Sequence, residues 1–519
     1  MTNEQEQNQR VMRAAVVLSL ANVIQRVLGM GREIVKANLF GASGTLSAFT
    51  VAALVPMTLY NLIVGGEMVT SSLVPVFSDY ANPAGSREDV AERRQALWEV
   101  FSIFVNLTAV VLLAVVLLVQ LFAPQVAWLV GARDFDDPAL FALTVQLMRL
   151  TTPAVLFLSV SSIITAVLYA LHRFTLPAFT IAMFNAAVIV IALLWPENIA
   201  SLAWGVLVGA ILQVVLQLPA LRDAHWQWRL DWRHPAVRRI IKLYTPIIGG
   251  LLINQAVIWI SYRLAIQTGD ESVTYMVYAT TLYQLPLGLV VMGLSTATLP
   301  TLSQQAHGQL PAFKTTLSQG LRLVIALILP AAVGMFVLAS PIVALLFEHG
   351  RFVAADTAMT SRVLQVYVFG MPFAAVDQML VYASYARQDT LRPALVGVVS
   401  IILYLVIALV LQPYLGLLSL MAADAAKHVV HTLIMLWLLQ RHLGGLRGHG
   451  VSRVAVRSLG AAVATGGAAY LVLGWLTLTA TFWGRVTAVA LPALAGVAAY
   501  AACVFLLDIQ EAKSLRRIF

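Results

Sequence analysis

The sequence predicts an all-helical polytopic membrane protein of fourteen spans, built as two pseudo-symmetric six-helix bundles followed by two further helices. Three observations predict it. The chain is 60% hydrophobic and only 11% charged, whereas a soluble chain carries about a quarter charged residues. Apolar runs near the roughly 20 residues that cross hydrocarbon recur from end to end. The loops between them alternate between arginine-rich and arginine-poor. Because the runs are continuous rather than alternating, a β-barrel is excluded.

In order, the spans fall at 12–40, 45–78, 96–124, 139–171, 176–195, 199–221, 238–268, 272–304, 314–339, 355–386, 391–411, 416–440, 453–476 and 483–507. The second, fourth, eighth and tenth exceed what the bilayer requires, so they are expected to tilt, kink or protrude. Pro56, Pro153, Pro286, Pro330 and Pro372 lie inside spans. Each removes a backbone donor, and a neighbouring helix or cavity must re-satisfy the freed carbonyl. The polar start lacks the pattern of a cleavable signal, so the first span is expected to be retained. Cys503 is the sole cysteine and forms no internal disulfide.

Alternate loops hold Arg87, Arg93 and Arg94, then Arg173, then Arg222, Arg229 and Arg233, then Arg387 and Arg392, then Arg441 and Arg447. The positive-inside rule makes these loops cytoplasmic. The intervening loops carry Asp134, Asp136 and Asp137, then Glu197, then Asp270 and Glu271. Arg10, Arg13, Arg516 and Arg517 place both termini inside, which requires an even number of spans. The net charge of +9 therefore belongs to membrane-flanking residues and points to the cytoplasmic leaflet, not to nucleic acid.

An internal repeat supports the two bundles. After the fourth span the chain reads Ala170-Leu-His-Arg173-Phe-Thr-Leu-Pro177-Ala178, and after the tenth Ala386-Arg387-Gln-Asp389-Thr-Leu-Arg-Pro393-Ala394. A weaker echo joins Leu73-Val-Pro75 to Thr298-Leu-Pro300. The offset is six helices, so the copies run parallel, as in alternating-access transporters with a cavity between their halves. The predicted division is 1–221, a connector at 222–242, 243–442, and 443–519. In the connector Trp226, Trp228 and Trp232 interleave with Arg229 and Arg233, which points to a segment lying in the headgroup layer, a solvated linker being the alternative.

The first span holds Arg26, Arg32, Glu33 and Lys36. At about 1.5 Å per residue, Arg26 is roughly 18 Å from the membrane edge. A charge there costs at least about 2.5–3.5 kcal/mol, so it must face protein or a water-filled cavity. Arg26 and Glu33 are two turns apart on nearly one face, and Gly29 and Gly31 between them favour a bend. Such a cluster either locks helices together or forms a cationic site for an anion. Guanidinium suits phosphate through its planar fork. Further charges within spans are Arg149, Arg263, Asp377, and Asp424 with Lys427, His428 and His431. Arg263 lies in the repeat equivalent of the first span and is expected to face the same cavity. Asp377 and Asp424 fit a coupling cation or a proton, although Asp424 and His428 at helical spacing equally fit a structural contact. Asp134-Phe-Asp136 is too short to count as a metal motif, and no zinc-ligand spacing, phosphate loop or nucleophile elbow is present.

With these segments in view, the chain resembles the MurJ/MviN family, the lipid II flippases of the multidrug/oligosaccharidyl-lipid/polysaccharide exporter superfamily. Gln25-Arg-Val-Leu-Gly-Met-Gly-Arg32-Glu33 is similar to that family's first-span signature. Leu147 to Pro153 with His172-Arg-Phe-Thr-Leu-Pro177 resembles its fourth-span motif. Phe347-Glu-His-Gly-Arg-Phe352, Tyr385-Ala-Arg-Gln-Asp-Thr390 and Leu282-Tyr-Gln-Leu-Pro-Leu-Gly288 resemble later landmarks. The resemblance implies that Arg26, Arg32 and Glu33 line a central cavity meeting the pyrophosphate of an undecaprenyl-linked precursor. It also implies that the last two helices form a groove for the lipid tail. Two departures stand out: the family has arginine in the second span where this chain has Tyr60 and Asn61, and in the eighth where it has Thr281. Glu67 is also shifted from the family's order, and Arg263 is a candidate replacement for one lost charge.

The expected function is outward translocation of lipid II by alternating access, in a monomer of the bacterial inner membrane. No cofactor is expected, and coupling would be to membrane potential, sodium or protons. Membrane lipids and the lipid-linked glycan are the expected partners. The rivals are a same-fold flippase for another polyprenyl-linked glycan, a multidrug–cation exporter, and a polyprenyl-dependent glycosyltransferase. The exporter predicts an acidic cavity. The enzyme predicts a carboxylate in the first external loop, and Gly41 to Leu46 has none.

Overall fold

Every predicted span falls on a helix of the computed structural model, which describes residues 3–81, 87–306, 308–446, 448–476, 481–508 and 511. Arg447, Arg516 and Arg517 lie outside the described residues, as do the side chains of Arg10, Arg13 and Arg87. The helices are α1 (Asn3–Phe40), α2 (Gly44–Ala81), α3 (Arg87–Leu121), α4 (Pro138–Ala170), α5 (Thr180–Leu194), α6 (Ala200–Gln217) and α7 (Pro235–Ile266). Next comes α8, formed by Ser272–Pro286 and Met292–Gln305. It is followed by α9 (Leu310–Val337), α10 (Ala354–Ala386), α11 (Leu391–Leu415), α12 (Leu418–Leu443), α13 (Val451–Trp475) and α14 (Phe482–Leu506). Among the described residues, eleven helical segments are long and apolar enough to cross a membrane. The long spans are interrupted as expected. A π-turn at Val69–Leu73 breaks α2, another at Leu287–Val291 follows Pro286 in α8, and α4 loosens at Pro153. Gly29 and Gly31, in contrast, do not break α1, which is continuous.

The chain forms two compact units, Met1–Thr274 and Tyr275–Phe519. The predicted second half began at residue 243, whereas α7 packs on α2 and α3 within the first unit. Inside that unit α2 packs on α4, α3 on α4, α4 on α6 and α5 on α6. Inside the second, α8 packs on α10, α9 on α10, α10 on α12 and α11 on α12. These are the same four pairings with each number raised by six, so the sequence repeat is a repeat of packing. The last two helices, α13 and α14, pack on each other, and α13 lies along α9.

Close approach and polar contacts hold the helices where water cannot help. On α6, Gly205 and Gly209 sit against α5. An added Cβ would stand 2.9 Å from Val188 Cα and 2.9 Å from Phe184 Cδ2 respectively. Between α4 and α6, Gln217 donates to Ser161 Oγ at 2.7 Å and accepts from Thr165 at 3.0 Å. The connector is an extended strap on α3. Trp226 Nε1 donates to Asn106 Oδ1 at 3.1 Å, and Asn106 Nδ2 donates back to the Gln227 carbonyl at 2.8 Å. The rings of Trp226, Trp228 and Trp232 are left exposed.

Candidate functional site

The charges of α1 form one ordered cluster in the first unit. Glu33 and Lys36 are buried, 4% and 8% exposed, one turn apart. Lys36 Nζ donates to Glu33 Oε2 at 2.7 Å. Arg32 donates to Glu33 Oε1 from Nε at 3.1 Å and from Nη2 at 2.9 Å. Its Nη1 donates to Asn185 Oδ1 of α5 at 3.0 Å, and Asn185 donates in turn to the Gln25 carbonyl. One carboxylate thus aligns two cations, leaving the trio with a net charge of +1. A guanidinium has five N–H groups. Among the described residues Arg32 uses three, so one N–H on each Nη remains, on a side chain 31% exposed. Arg26, two turns earlier, is exposed while Glu33 is buried, so the two differ in environment despite their shared face.

The α2 positions are structured by packing. Tyr60 shares a 2.9 Å hydroxyl hydrogen bond with Ser162 of α4, and the Asn61 carbonyl accepts from Tyr244 of α7 at 3.2 Å. A turn earlier, Thr58 donates to Gln255 at 3.1 Å and accepts from Trp259 Nε1 at 2.9 Å, tying α2 to α7. Arg263 is held by a loop carboxylate. It sits in the last turn of α7 and donates from Nε to Asp134 Oδ2 at 2.8 Å, with Gln267 donating to the same oxygen at 3.0 Å. Within the first unit it is a loop clip, because Asp134 supplies the counter-charge that an anionic ligand would otherwise supply. Asp270 reinforces that clip by accepting from the backbone N–H groups of Asp136 and Asp137. No group of three or more His, Cys, Asp or Glu among the described residues is arranged to hold a metal ion.

A second charged cluster lies in the second unit. Asp377 of α10 and His431 of α12 meet at 2.6 Å, both side chains about 15% exposed or less. Asp424 accepts from Lys427 at 2.5 Å and lies 3.5 Å from His428, so its lysine neighbour is the closer partner. Lys427 also stands 5.7 Å over the Tyr404 ring of α11. Thr281 bonds back to the Val277 carbonyl of its own helix, while neighbouring Thr280 donates to Tyr367 of α10 at 3.3 Å. Arg149, grouped with these charges in the sequence, is exposed.

The two repeated turns have matching backbones. His172 and Gln388 both adopt positive φ, 56° and 60°. Arg173 N–H bonds to the Leu168 carbonyl and Asp389 N–H to that of Ser384, while His172 and Gln388 bond to Tyr169 and Tyr385. This is the double hydrogen bond that terminates a helix through a left-handed residue. Pro177 and Pro393 are both buried just beyond. The side chains then diverge. Arg173 makes a fork to Asp223, at 2.7 and 3.1 Å, which Arg94 also reaches, whereas Asp389 accepts from Arg392 at 3.0 Å. Burial alone would raise the Asp223 carboxyl, but the Arg173 hydrogen bonds, a backbone hydrogen bond and the Arg173 and Arg94 charges together outweigh it and hold the group below its ordinary range.

Sequence reasoning passed over Lys36 as a site residue and missed Asn185 and the Thr58–Gln255–Trp259 contact. The i, i+3 spacing of Glu33 and Lys36 was a usable signal, as was a lone amide, Asn185, in an apolar span. Comparisons with known proteins bear on the whole chain. The family model "Lipid II flippase MurJ" matches residues 36–493, so Arg32 and Glu33 immediately precede the matched stretch. A "Probable lipid II flippase MurJ" of Vibrio cholerae is 29% identical, covering 97% of both chains. One of Bdellovibrio bacteriovorus is 28% identical, covering 85% of this chain and 84% of its own. The solved structure "Lipid II flippase MurJ, inward closed conformation" aligns with a TM-score of 0.77 at 21% identity, covering 95% of this chain and 99% of that one. From the family match over most of its length, the chain belongs to the MurJ family, whose model is described as lipid II flippases.

Proposed function

We propose that this chain translocates lipid II, a polyprenyl-diphosphate-linked peptidoglycan precursor, from the inner to the outer leaflet of the bacterial cell membrane by alternating access. The observation that carries the reading is Arg32, oriented by Glu33 and Asn185, with one N–H on each Nη left unused by the described residues. A planar fork held in place before the ligand arrives is the chemistry that recognises a phosphate. Lys36 offsets the charge of Glu33, so the carboxylate orients Arg32 without cancelling the site's positive character. Arg26 extends that character towards the start of α1. An inside-negative potential favours outward movement of the diphosphate by about 2.3 kcal/mol per charge per 100 mV. Asp377 with His431, and Asp424 with Lys427, are the groups for coupling to protons or sodium. The working unit is a monomer.

The test is complementation of a flippase-depleted bacterium, with the accumulating lipid-linked precursor identified by mass spectrometry. Wild type restores growth, and lipid II accumulates when it is withdrawn. Arg32→Ala reaches the membrane at the wild-type level and fails to complement. Full complementation by that variant would remove Arg32 from the mechanism. Accumulation of a different polyprenyl-linked glycan would reassign the substrate, an outcome that the Tyr60, Asn61 and Thr281 departures make worth measuring.

A further inference from the structure

A cavity of about 490 Å³ opens where the ends of α10 and α12 meet the start of α11. Arg387, Arg392, Leu391, Leu438 and His442 line it. Arg387 is half-buried, and among the described residues its guanidinium has no hydrogen-bond or ion-pair partner. Arg392 is matched by Asp389, so the lining keeps a net positive charge. His442 Nδ1 lies 2.6 Å from the Leu438 carbonyl, which directs Nε2 away from its own helix.

The repeat supplies an internal control. At the corresponding turn of the first unit, Arg94 and Arg173 both end on Asp223, a carboxylate of the chain itself. At the second turn no carboxylate among the described residues does this for Arg387, and a cavity stands beside it. Leu391, on the cavity's rim, is also the first of an exposed stripe on α11 that continues through Leu395, Val399, Ile402 and Val406. Their spacing of three and four residues keeps them on one helical face. In a membrane-spanning helix such a face meets acyl chains.

We infer that this cavity seats the phosphate headgroup of an anionic phospholipid from the arginine-rich leaflet, with its acyl chains along the Leu391–Val406 stripe. The site is separate from the Arg32 cluster and does not depend on which lipid-linked glycan is moved. Its ligand chemistry is a phosphate diester joined to hydrocarbon. The cation that captures it is Arg387, the position to which the described residues offer no anion of their own. Bound there, the lipid bridges α10, α11 and α12, the helices that carry Asp377, Tyr404 and His431.

Native mass spectrometry of the full-length protein in detergent tests it, with phosphatidylglycerol, phosphatidylcholine and inorganic phosphate as probes. Wild type retains phosphatidylglycerol in preference to phosphatidylcholine, and Arg387→Gln weakens the tightest-bound phosphatidylglycerol about fivefold. Arg441→Gln, on the same helix end but outside the lining, leaves that binding unchanged. Equal retention of both lipids, wild-type retention by Arg387→Gln, or equal losses in Arg387→Gln and Arg441→Gln would overturn the proposal. Displacement by excess inorganic phosphate would also overturn it, showing a free-anion site. Should Arg387→Gln fail to insert, Arg392→Gln replaces it: Asp389, freed from Arg392, competes for Arg387 in the same lining, and phosphatidylglycerol retention falls in the same direction.

Discussion

Lys36 Nζ lies 2.7 Å from Glu33 Oε2, one turn along α1, while the other oxygen of Glu33 serves Arg32. This arrangement separates folding from function. Replacing Arg32 with alanine leaves Glu33 and Lys36 paired and neutral. Replacing Glu33 with alanine leaves two cations facing each other, and breaking a buried pair costs about 3–5 kcal/mol. Glu33→Ala is therefore expected to melt well below wild type in fluorescence-detected size-exclusion scans, and Arg32→Ala, which takes a donor from buried Asn185 and Glu33, to melt between the two while failing to complement. Equal melting of the two variants would show that Glu33 is not the organising charge.

Thr58 joins α2 to α7 through two hydrogen bonds on one hydroxyl. Thr58→Val keeps the shape but orphans Gln255 Oε1 and Trp259 Nε1. Each group left unsatisfied costs about 1–3 kcal/mol. The variant should show a clearly lowered melting temperature, and Thr58→Ser should recover most of it. A Thr58→Val protein as stable as wild type would mean that other donors or acceptors replace the hydroxyl.

The fold was legible because length and apolarity suffice to mark a span, and cation asymmetry marks its ends. Even the repeat could be read, since Pro177 and Pro393 stand at equal distance after Ala170 and Ala386. What a span touches is not in that signal. Arg263 read as an intramembrane charge because its neighbours in sequence are apolar, yet its partner Asp134 comes from a loop 129 residues earlier. The partner of Asn185 was hidden for the same reason: a lone amide in an apolar span marks itself, but nothing local says that it faces Arg32. Likewise, α7 counted as the first helix of the second half by repeat arithmetic, whereas its packing is with α2 and α3.

His349 lies between two helices, in the turn before α10, where burial and then the Arg485 guanidinium push its imidazole below the ordinary value of 6.5, against the opposing pull of Glu348. The unfolded chain thus binds this proton more readily than the folded one. Stability from this group is complete above 6.5 and falls as pH drops through that value towards the lowered folded one. The melting temperature should decline between about pH 7.5 and about pH 5.5, and His349→Gln should shrink that decline. Identical pH profiles for the two proteins would show that the imidazole titrates alike in both states. The same turn is clamped by Arg485 of α14, which donates to Glu348 Oε1 at 2.9 Å. Melting at low pH should therefore begin where α14 meets this turn, visible as early hydrogen exchange there.

The approach of α10 to α12 is set by Gly370, where an added Cβ would stand 2.8 Å from Ala425 Cα. Asp377 and His431 lie further along the same two helices, so their 2.6 Å contact depends on that approach. Gly370→Ala overpacks backbone against backbone, at about 1–3 kcal/mol, and stretches the pair. Asp377→Asn does the converse, since an amide still bonds a neutral imidazole in unchanged packing while the charge is gone. In proteoliposomes with imposed proton or sodium gradients, Asp377→Asn should melt near wild type yet lose its response to the gradient. Gly370→Ala should melt lower and lose that response as well. An Asp377→Asn protein that follows both gradients as wild type does would take the pair out of coupling. It would then be a helix clamp alongside Thr432, whose hydroxyl donates to the Phe373 carbonyl at 2.9 Å.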